Sequence, residues 1–177
     1  HAPTRNITRL YINANRGLQQ FLSPIEFASF MVTTPYCSKL LFAISYKDKL
    51  KLTDADISAL MNAYNESIKL PAKEIGNLKY WEDHQLKTIL KPQQFVHFFR
   101  IRNQAYNASK AALRWQYMIK EKLTHKIDSN QLKKDYVNLS IKKQVALASI
   151  KGERTQQKRD SIDRALYLEK PFIFRRS

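Results

Sequence analysis

Four histidines, one cysteine and 15 carboxylates are the side chains that could hold a metal or carry out catalysis. Zinc sites take ligands at defined spacing, commonly two histidines one helical turn apart beside a carboxylate. His1, His84, His97 and His125 show no such spacing. No metal site is expected, and His84 and His97 read as packing or surface residues. A reactive thiolate needs a base or a cluster of cations nearby. Cys37 has only Lys39 close in sequence, so it reads as a small buried thiol. Asp54 and Asp56 look like paired carboxylates, but they follow Thr53 at the start of a helical stripe, where acids complement the positive end of the helix dipole. Glu82 and Asp83 fall on the polar side of another stripe and are expected to be solvated. Gly17, Gly76 and Gly152 stand alone, so there is no glycine-rich loop to cradle a phosphate. No constellation of titratable groups emerges. Neither catalysis nor a cofactor is expected.

The elements that carry these residues are helical in pattern. With 3 Gly and 6 Pro in 177 residues, the chain lacks the tight turns that sandwiches and barrels need. The length suits one domain with a sizeable core, and 44% hydrophobic residues exclude a disordered composition. A lone cysteine excludes an internal disulfide framework. No apolar run reaches the length of a transmembrane helix. The longest candidate, Phe27 to Tyr46, is broken by Pro35 and Lys39.

Helix starts are marked by capping residues. Ser23-Pro24-Ile25-Glu26 places a cap, a first-turn proline and an acid that reaches back to the cap amide. Phe27, Phe30 and Met31 then share a face, and Pro35 should end the helix. Ser38 caps a second helix bearing Leu40, Leu41 and Ile44, which runs to about Lys49. Thr53 repeats the capping logic ahead of Ile57, Leu60, Met61 and Tyr64, at i, i+3, i+4 and i+7. The next helix spans roughly Ala72 to Ile89, with Ile75, Leu78, Trp81 and Leu86. Pro92 opens another with Phe95, Phe98 and Phe99 on one side. Asn107 is expected to cap a helix whose wide buried face holds Ala111, Ala112, Trp115, Met118, Ile119 and Leu123. Trp81 and Trp115 read as hairpin core. Asp128 or Ser129 starts a helix with Leu132, Tyr136, Leu139, Val145 and Leu147, interrupted near Gly152. Ser161 is expected to cap a last short helix with Ile162, Ala165 and Leu166. The organisation expected is an N-terminal arm over 1–22, a helical domain over 23–150, and a polar linker, short helix and tail over 151–177.

The charge is uneven. Residues 1–90 carry a net +3 and residues 91–177 a net +13, within a total of +16. The second half is therefore the expected polyanion contact, with Lys133, Lys134, Lys142, Lys143, Arg154, Lys158 and Arg159 as candidates. The tail Phe172, Ile173, Phe174, Arg175 and Arg176 combines large apolar and basic side chains. It is expected to dock onto the chain's own core or onto a partner. The chain begins at His1, and no acid precedes Glu26 while Arg5, Arg9 and Arg16 do. That chemistry fits a processed organellar protein, and a pI near 10.0 fits the mitochondrial matrix. Sequons at Asn6, Asn65, Asn107 and Asn138 are expected by chance in so Asn-rich a chain. On the sequons alone a secreted basic protein is a weaker reading.

The capped starts at Thr53, Pro92 and Ser129 are 39 and 37 residues apart, a period that fits one helical hairpin per unit. The fold expected is all-α: stacked helical hairpins in a short solenoid of three to four units. An ordinary helical bundle is the alternative. Ser58-Ala59-Leu60-Met61-Asn62-Ala63-Tyr64, the run from Ala111 to Lys122 and the junction Leu90-Lys91-Pro92 together resemble the pentatricopeptide repeat family over about residues 38–150. In that family, repeats read RNA bases through polar side chains near the start of the first helix. The corresponding positions here look like Ser58 or Ala59, His97 or Phe98, and Lys133 or Lys134. Because phenylalanine cannot discriminate bases by hydrogen bonding, sequence-specific reading is not expected. Short members that do not read RNA include accessory subunits seated on the alpha subunits of euglenozoan mitochondrial F1-ATPase, and this chain is similar to them in size and repeat number. The resemblance implies a non-catalytic subunit with protein partners, F1 alpha subunits among them. RNA is the alternative partner, as for a basic RNA-binding protein of this type or a mitoribosomal protein.

Overall fold

A computed structural model describes residues 17–34, 37–70, 78–124, 127–150 and 154–167. All regular structure among the described residues is helical. The chain divides into two compact units, His1–Lys91 and Pro92–Ser177. Most of the N-terminal arm, Pro35, Ile75, His125, Gly152 and the tail from 168 onward lie outside the described residues.

The first unit contains α1 (Pro24–Met31), α2 (Lys39–Ser45), α3 (Lys47–Leu50), α4 (Asp54–Ser67) and α5 (Leu78–Ile89). The starts of α1, α2 and α4 follow the capping chemistry of the sequence. Ser23 and Glu26 form a reciprocal capping box at α1, and Thr53 and Asp56 form another at α4. Such caps satisfy amides that the first turn leaves without helical partners. α1 packs on α2, α2 on α4, and α4 on α5, while α1 also reaches α4 and α2 reaches α5. Two hairpins thus lie side by side. The core holds Phe27, Leu40, Leu41, Ile44 and Leu60, all 0% exposed, with the Phe27 and Tyr64 rings 5.8 Å apart. Phe30 departs from the expected face and is 47% exposed.

The second unit contains α6 (Pro92–Arg102), α7 (Gln104–Lys120), α8 (Ser129–Ala148) and α9 (Gln156–Tyr167). α8 is its central element, packing against α6, α7 and α9. Phe95, Phe98 and Phe99 of α6 are buried as expected, and Phe98 and Phe99 meet edge to face at 5.3 Å. Met118 and Leu132 join α7 to α8, with Trp115, Ile127 and Tyr136 packed around them.

Two expectations about helix limits are corrected. α7 begins at Gln104, so Asn107 is an interior residue and not a cap. α9 begins at Gln156, five residues before Ser161, and Thr155 supplies the oxygen that receives the Lys158 amide. Gln, Lys and Arg are good helix formers, which is why a strongly polar stretch still coils.

Two chain reversals need left-handed backbone without glycine. Lys51 and Lys122 have φ of 54° and 55°. In both places the lysine amide bonds the carbonyl three residues back, and the next amide, from Leu52 or Leu123, bonds the carbonyl five back. These are Schellman closures, and each occurs in the tripeptide Lys-Leu-Thr.

Candidate interaction surface

The densest set of buried polar groups lies in the first unit. Ser38 caps α2 by accepting the Leu40 amide and also donates its hydroxyl to Glu82 Oε1 at 2.5 Å. Beside it, Lys39 Nζ donates to Asp83 Oδ1 at 2.5 Å and to the Lys79 carbonyl at 3.1 Å. Glu82 is 7% exposed and Asp83 2%. The expectation that these acids are solvated is therefore corrected. They join α5 to the start of α2, where negative charge also faces the positive helix end. Each group is matched by a partner, as buried charges must be, and the arrangement does the work of a clasp between helices. Cys37, beside it, is half-buried and donates to the Ser38 carbonyl at 3.3 Å.

A second polar set joins α7 to α8. Asn107, 0% exposed, accepts through Oδ1 from Ser140 at 2.8 Å and from Gln144 at 3.0 Å. Asn103 donates to Gln144 at 2.9 Å. A buried amide of this kind fixes the register of two helices because slippage would leave its partners unpaired. Of the sequon asparagines, Asn6 lies outside the described residues and the other three differ in burial. Asn107 is buried, and Asn65 and Asn138 are half-buried; Asn65 accepts from Gln19 and Asn138 from Arg100.

The seven basic candidates fall on two helices and their approach. Lys133, Lys134, Lys142 and Lys143 belong to α8; Lys158 and Arg159 belong to α9, and Arg154 precedes it. Nine residues of helix separate Lys133 from Lys142, which places them on opposite sides of α8. The four lysines therefore form no single stripe. Lys143 is engaged in an ion pair with Asp163 at 2.5 Å, both side chains 45% exposed, and so ties α9 to α8. Arg159 Nε donates to the Arg154 carbonyl at 3.2 Å. Lys133 and Lys134 are brought beside Arg100 of α6, a residue that sequence reasoning did not select. The tail candidates Phe172, Ile173, Phe174, Arg175 and Arg176 lie outside the described residues.

The solvent side of α7 was missed as well. Tyr106, Leu113 and Tyr117 are 59%, 54% and 45% exposed. Eleven residues make just over three full turns, so the two tyrosines share a face and are separated by about 16 Å. Lys110 Nζ sits 5.6 Å from the Tyr106 ring centre, and the Arg114 guanidinium sits 5.1 Å from that of Tyr117. Of the wide buried face expected on this helix, only Ala111 and Met118 are buried; Ala112, Ile119 and Leu123 are exposed and Trp115 is half-buried. The signal was legible in the alternation Tyr106, Lys110, Leu113, Arg114, Tyr117 at i, i+4, i+7, i+8 and i+11. Tyrosine and arginine are the residue types that dominate protein interfaces.

Among the described residues no group of His, Cys, Asp and Glu is placed to hold a metal, and no helix is long and apolar enough to cross a membrane. Comparison with protein families, with curated proteins and with solved structures finds no match. The class the fold defines is that of all-helical proteins built from packed hairpins.

Proposed function

We propose that this chain is a non-catalytic structural subunit of a large protein assembly, bound to its neighbours through exposed helix faces. The observation that carries this reading is the tyrosine, leucine and arginine face of α7. Large apolar side chains grouped together on a solvated face are the mark of an interaction site. The two cation–ring pairs hold the tyrosines in place before a partner arrives, which lowers the entropy lost on binding. The resemblance to pentatricopeptide repeats, together with the basic composition, supports a mitochondrial matrix setting and the alpha subunits of an F1-ATPase as the specific partners.

The test is the combined variant Tyr106→Ala, Leu113→Ser and Tyr117→Ala. All three side chains are exposed, so helicity and stability should change little. Proteins that co-purify with the wild-type chain should be lost. A variant that keeps every partner at wild-type stoichiometry would contradict the proposal.

A second reading, RNA binding through the backbone phosphates, is favoured by the net +13 of residues 91–177. Such binding must weaken steeply with added salt and be indifferent to sequence.

A further inference from the structure

The second unit holds a cleft of about 270 Å³ at the junction of α6, α7 and α8. Its walls are overwhelmingly apolar, and Ala108 and Ala111 of α7 with Val137 of α8 are among the residues that line it. The space exists because α7 places alanines one turn apart where larger side chains would close it. The charged groups around it are Arg100, Lys133 and Lys134, and no carboxylate lines it. Arg100 is steadied by a long hydrogen bond, 3.4 Å, to Asn138 Oδ1.

Size and chemistry narrow the occupant. The volume falls below the roughly 300–1,000 Å³ usual for small-molecule sites, leaving room for one or two side chains. No aromatic ring lines the cleft, so it offers no platform on which a nucleic-acid base could stack. Three cations around an apolar floor call for a ligand that is apolar at its centre and negative at its edges. We propose that this cleft receives an acidic segment of a partner protein. One leucine- or methionine-sized side chain enters against Ala108, Ala111 and Val137. Flanking Asp or Glu carboxylates meet the Arg100 guanidinium, whose fork suits them bidentately, and the Lys133 and Lys134 ammonium groups. The inference rests on the protein-binding reading above and names the chemistry of the partner.

The experiment is an amide NMR titration of the full chain with an Asp/Glu-rich peptide carrying one central leucine. The same peptide with serine in place of leucine, oligouridine RNA, and phosphatidylcholine vesicles containing cardiolipin are the comparison probes. The leucine peptide should shift amides at 100, 108, 111 and 133–138, and the serine peptide should bind about tenfold more weakly. Ala108 is exposed, so Ala108→Leu should fold normally while filling the cleft, and should weaken the leucine peptide about tenfold. Lys133→Glu with Lys134→Glu should do the same. Equal binding of both peptides, no shift with either, or shifts at these amides from RNA or vesicles alone would each overturn the proposal. Loss of the assembly on changing the α7 tyrosines is read in a separate experiment, so failure at the cleft is distinguishable from failure of the protein-binding reading.

Discussion

Lys39 Nζ lies 2.5 Å from Asp83 Oδ1, and the two side chains are only 10% and 3% exposed. Forty-four residues separate them, and the pair joins the start of α2 to α5. A buried pair of this kind contributes little net stability against an apolar substitute, but removing one partner strands a buried charge. Lys39→Met alone is therefore expected to destabilise the chain by about 3–5 kcal/mol. Changing both, Lys39→Met with Asp83→Leu, should recover most of the loss. Denaturant unfolding of the single and double variants measures the coupling. Losses that simply add would mean that the contact is not formed.

The Glu26 carboxylate accepts both the Ser23 hydroxyl, at 2.7 Å, and the Ser23 amide, at 2.9 Å. These bonds, the side-chain one first, hold its pKa below the ordinary 4.5. A group depressed on folding adds stability above its unfolded pKa, and that contribution is lost as pH falls through the folded value. An NMR titration of the Glu26 carboxyl carbon should show a midpoint below 4.5, and Ser23→Ala should move it upward. The first turn of α1 should loosen over the same acid range.

Lys51 and Lys122 occupy left-handed backbone at φ 54° and 55°. That region costs a residue with a Cβ about 1–2 kcal/mol, partly offset by the extra freedom glycine has when unfolded. Lys51→Gly and Lys122→Gly are each expected to stabilise the chain by about 0.5–1 kcal/mol. Thermal unfolding tests this, and a lowered melting temperature in both would show that the lysine side chains make contacts worth more than the strain.

What could be foreseen from sequence was what local rules control. The caps at Ser23, Ser38 and Thr53 were legible because an oxygen-bearing residue and the amides it meets lie within three positions, and the start at Asp128 was legible to within one residue. Phe95, Phe98 and Phe99, and the stripe from Ile57 to Tyr64, were legible because their period is that of a helix. Glu82 and Asp83 were misread because burial of an acid depends on a partner far along the chain. The available clue was Lys39, a lone cation set against Leu40 and Leu41, which needs a counter-charge. Asn107 was misread because asparagine serves equally as a cap and as a buried bridge, and only the Ser140 and Gln144 side chains decide between them. On α7, aromatic residues alternate with cations, so hydrophobicity alone could not say which side faces water. The scarcity of glycine pointed to helices correctly, yet two lysines took over the turn role that glycine usually fills.

On the proposed function, this chain works by holding proteins together. The most direct test is affinity purification of the native full chain, with and without nuclease, followed by mass spectrometry of what is retained. A stoichiometric set of proteins that survives nuclease, with F1-ATPase alpha subunits among them, is the predicted result. Partners that vanish with the RNA would contradict it and would make the basic second half a nucleic-acid surface.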